Sequence, residues 1–117
     1  MKIHKTKAVT GLASYIRNDM IPKIPDKSFR IVAEAVATMA ELRPDLLDAY
    51  LQNPMLSTLL SYEDDSIDLD MAEAALTAAL ERHGDLELTI PGIKFFSPED
   101  KTLKFSKDDI RRLKSYM

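Results

Sequence analysis

Two segments of this 117-residue chain carry polar side chains on only a narrow stripe of a helical wheel, and they limit what the chain can fold into. Over residues 28–42, Phe29, Ile31, Val32, Ala33, Ala35, Val36, Ala37, Met39, Ala40 and Leu42 are apolar, while Arg30, Glu34, Thr38 and Glu41 form the single polar line. Over residues 71–83, alanine stands at 72, 74, 75, 78 and 79 beside Leu76 and Leu80, against a stripe of Glu73, Thr77 and Glu81. A helix with so narrow a polar face needs cover over most of its girth. A domain of this size buries about two-thirds of its extended-chain surface, enough to enclose one such helix. Sheltering two requires that they nest on each other inside the rest of the chain, or that a second subunit finishes one of them. Each Val, Leu or Phe left in water forfeits about 1.5–3 kcal/mol. Self-association is therefore expected, as a dimer, the commonest symmetric assembly.

The remaining elements follow from local signals. Val9, Leu12, Ala13, Ile16 and Met20 recur at helical spacing opposite Lys7, Thr10, Ser14 and Arg17, which reads as a one-sided helix ended by Pro22 and Pro25. Asp26 or Ser28 caps the next helix, and Pro44 opens a third bearing Leu46, Leu47, Tyr50 and Leu51. Asn53-Pro54 restarts a short helix with Met55, Leu56, Leu59 and Leu60. The acidic run at 63–70 reads as a solvated loop, with Asp70 and Glu73 starting the alanine-rich helix and Gly84 stopping it. The period then changes to two: Leu86, Leu88 and Ile90 alternate with Glu87 and Thr89, Ile93 and Phe95 with Lys94 and Phe96, and Leu103 and Phe105 with Thr102 and Lys104. Ser106 with Asp109 forms a capping box ahead of a last helix docked by Ile110 and Leu113. The class is α+β: a helical N-terminal two-thirds, a small antiparallel β-meander at about 86–105 and a C-terminal helix, in one domain spanning 1–117.

Composition removes several function classes. The chain has no cysteine, hence no disulfide, thiol chemistry or cysteine metal site, and its formal charge is −3. His4 and His83 are the only histidines and stand in no zinc-type spacing; His83 suits a helix C-terminus. A calcium loop begun at Asp64 would need glycine at its sixth position and glutamate at its twelfth, where Leu69 and Ala75 stand. Gly-rich phosphate cradles and the nucleophile elbow are missing. No catalytic, cofactor or metal residue is expected, and the chain reads as a non-enzyme. Residues 8–16 are diluted by Thr10, Gly11 and Ser14 and closed by Arg17, so no secretory leader is expected. The charge-free run at 49–62 is shorter than the ~20 residues of a spanning helix. A cytoplasmic, non-membrane protein is the expectation.

Charge is unevenly distributed. Residues 1–30 carry seven Lys or Arg against two acids, residues 31–91 two against thirteen, and residues 92–117 seven against four. Faces of opposite sign in solvent explain this simply; head-to-tail attraction between basic ends and acidic middle, or basic ends on nucleic acid, are the functional alternatives. Phe96 shares its strand face with Lys94, so it either turns inward at a strand end or anchors an interface. With Lys104, Arg111 and Arg112, these residues make up the candidate interface. The partner is a second copy or another protein, with nucleic acid the second class.

The segment LTIPGIKFF at 88–96, the LKF at 103–105, the closing helix, the KTKAV at 5–9 and the NPM at 53–55 together resemble small uncharacterised proteins of bacterial prophages. The resemblance covers about half the chain. It implies a phage-derived accessory or virion-assembly setting and transfers no activity and no site residue.

Overall fold

The structure, a computed structural model, describes residues 1–52, 66–84, 86–92 and 99–117. Chain order is β1 (Lys2–His4), α1 (Lys5–Tyr15), a π-helical turn (Ile16–Met20), a 3-10 turn (Ile21–Lys23), α2 (Lys27–Leu42), α3 (Pro44–Leu51), β2 (Ser66–Asp68), α4 (Leu69–His83), β3 (Leu86–Ile90), β4 (Lys101–Phe105) and α5 (Lys107–Ser115). Five helices and two antiparallel two-stranded sheets, among the described residues, make this an α+β fold.

Most boundaries are set by the residues that the sequence marks. Asp26 caps α2 by accepting from the N–H groups of Ser28 at 2.8 Å and Phe29 at 3.4 Å. Pro44 opens α3, where its missing N–H costs nothing. Gly84 ends α4 with a φ of 79°, a conformation open to glycine. The capping box of α5 is formed: Asp109 accepts from the Ser106 N–H at 2.8 Å and from its hydroxyl at 3.0 Å.

The acidic run departs from its expected form. Ser66–Asp68 is a strand, not a solvated loop, and pairs antiparallel with β1, Ile3 opposite Ile67, both buried. The cap of α4 is accordingly Asp68, which accepts from the N–H groups of Asp70 at 3.0 Å and Met71 at 3.3 Å; Asp70 already lies inside the helix. The described part of the meander is the pair β3–β4, with Leu86 opposite Phe105 and Ile90 opposite Lys101. The expected middle run at 93–96 lies outside the described residues, as do the short helix after Asn53 and the calcium-loop residues at 64 and 65.

The helix at the centre is not one of the two with narrow polar stripes. It is α1, in which Ala8, Val9, Gly11, Leu12, Ala13 and Tyr15 are buried while Lys7 and Thr10 are exposed, the one-sided arrangement that its pattern implied. α2 packs chiefly on α1 and α3, and α4 on α5, so the two apolar helices do not nest on each other. The physical reason is Gly11. A Cβ placed there would lie 3.0 Å from the Tyr116 carbonyl oxygen and 2.7 Å from Met117 Cγ, so the end of the chain sits directly on the helix backbone. Tyr15, the largest fully buried side chain, fills the space beyond, its ring 6.0 Å from Phe105 and 6.3 Å from Tyr116.

This close approach yields a first expectation. Gly11→Leu should destabilise the protein by about 1–3 kcal/mol through overpacking, well above the helix-propensity gain of about 1 kcal/mol, read as a lower chemical-denaturation midpoint.

Candidate interaction surface

Of the expected interface residues, Lys104, Arg111 and Arg112 lie among the described residues, and all three are exposed. Every charged side chain of α5 is engaged within the chain. Lys107 reaches Glu81 on α4 at 3.2 Å, and Lys114 reaches Asp70 at 3.2 Å and pairs with Glu73. On the opposite flank Arg112 lies 3.7 Å from Asp19 in the π-helical turn, and the Asp19 carboxylate pushes the Tyr116 phenol above its ordinary value. Lys23 reaches Asp109 at 3.1 Å. Arg111, on the outer side, pairs with Asp108 of its own helix at 3.7 Å, and both remain largely exposed. Lys104 is exposed on β4, with Glu87 opposite it in the strand register. The basic side chains of α5 thus point in several directions: Lys107 and Lys114 toward carboxylates of the acidic middle, Arg112 toward Asp19, and Arg111 along its own helix. Phe96 and Lys94 lie outside the described residues.

One of these contacts is half-buried and chemically distinct. The buried Tyr15 phenol lies near the Asp109 carboxylate. Burial first, then the adjacent Asp109 carboxylate, pushes the Tyr15 phenol well above its ordinary value. Burial acts against ionisation of Asp109 too, but the Ser106 N–H, then Lys23 and the Ser106 hydroxyl, hold its carboxyl below the usual carboxylate range. Asp109 is the capping-box partner of Ser106 and ties α5 to Lys23 of the 3-10 turn, so the cluster reads as a structural clasp.

A second polar cluster covers α2. The Arg17 guanidinium donates to Glu34 at 2.7 Å and to the Thr38 hydroxyl at 3.3 Å, and also pairs with Glu41. The polar stripe expected to face water is therefore bridged by a side chain from the π-helical turn. These contacts are near the surface, where such a pair contributes about 0–1 kcal/mol.

Beside that stripe, apolar groups lie open. Ile31 is 51% exposed, Leu42 71% and Leu46 46%, and Ala35 is exposed between them. On α4, Met71 is 71% exposed and Ala74, Ala75 and Ala78 share its side. Val36, by contrast, is buried. Both narrow-striped helices thus keep an apolar arc in solvent, where the chain alone does not cover it.

A surface cleft of about 120 Å³ is lined by Lys5, Thr6, Val9, Thr10, Glu41 and Pro44, below the roughly 300–1,000 Å³ of small-molecule sites. Among the described residues no group of three or more His, Cys, Asp or Glu is placed to hold a metal ion, and no buried side-chain polar atom lacks a partner. Among the described residues no helix is long and apolar enough to cross a membrane.

The clasp sets a pH dependence with two limbs. Asp109 is held below the ordinary carboxylate range, so its contribution is complete above about pH 4 and is lost as pH falls through the folded value. The Tyr15 phenol is raised, so its contribution is complete below about pH 10 and is lost as pH rises beyond. Urea midpoints measured across pH should fall on both sides, with Asp109→Asn flattening the acid limb and Tyr15→Phe the alkaline one. No family model, curated protein or solved structure matches this chain.

Proposed function

We propose that this protein is a non-enzymatic interaction and assembly module that acts in the cytoplasm and associates with a second copy of itself. The observation that carries this reading is the pair of open apolar arcs, Ile31, Ala35, Leu42 and Leu46 on one side and Met71 with its alanines on the other. Large apolar side chains gathered on one face mark contact surfaces, because each gains free energy when a partner excludes water from it. The resemblance of the C-terminal third to prophage proteins supports an accessory or virion-assembly setting. A nucleic-acid role is weaker, since the basic residues of α5 already face carboxylates of the same chain and would have to surrender them to phosphates.

Sedimentation velocity from low to high micromolar concentration should give the mass of a dimer at the upper end. A monomer throughout would overturn self-association. Retention of duplex DNA at low salt, where phosphate contacts are strongest, would favour the nucleic-acid reading instead.

A further inference from the structure

We draw no further inference here: the strongest candidate, the open apolar side of α2 bearing Ile31, Ala35 and Leu42, carries nothing beyond the self-association proposed above, because nothing in the structure shows what covers it.

Discussion

The contact on which the rest of this fold depends is the seating of the chain's last residues on the backbone of α1 at Gly11. The glycine lets the Tyr116 carbonyl and Met117 come within van der Waals distance of the helix axis. That proximity places Leu113, Ile110 and Met117 over α1, brings the Tyr116 ring to Tyr15, and sets Asp109 near the Tyr15 hydroxyl and in reach of Lys23. A larger residue would lift α5 away, and with it the clasp. Apolar burial supplies most of the stabilisation here. The polar cluster adds direction, because a carboxylate held by a cap and an ammonium group beside a buried phenol has few other positions open to it.

α1 occupies the centre, and this explains why α2 and α4 keep apolar arcs in solvent. α1 takes much of the cover that one small domain offers. The two narrow-striped helices flank it, each giving one side to the core: Phe29, Val32 and Val36 from α2, Leu69, Ala72, Leu76 and Leu80 from α4. Their outer sides remain. Val36 and Ala75, which the sequence places in equally apolar helices, thus have opposite fates, one buried and one exposed.

Elements with a local physical signal were legible in the sequence. Asp26, Pro44, Gly84 and the Ser106–Asp109 box mark helix ends because each answers a backbone requirement within a few residues. The alternation of residues 86–90 and 101–105 likewise follows from the side-chain period of a strand. The β1–β2 pair was not legible: three residues on each side are too few to show a period, and the partners lie more than sixty residues apart. The apolar side of α1 was legible, but the approach of Tyr116 and Met117 to Gly11 was not, because glycine counts as neutral in any polarity pattern. Of the candidate interface, Arg112 could not be told from a free surface cation, because its partner Asp19 is set by a π-helical turn that no local motif announces. Arg111 and Lys104 do lie at the surface, as their positions on the last helix and strand implied.

The order of synthesis has a consequence for how α1 reaches its enclosed position. α1 leaves the ribosome before the residues that close over it, 110–117, are made. β1 waits similarly for Ser66–Asp68. Until then Leu12, Tyr15 and Ile16 have only part of their final cover, and an emerging chain presents them to whatever is near. The nascent polypeptide thus passes through a stage in which apolar residues destined for the core stand uncovered and most in need of a chaperone.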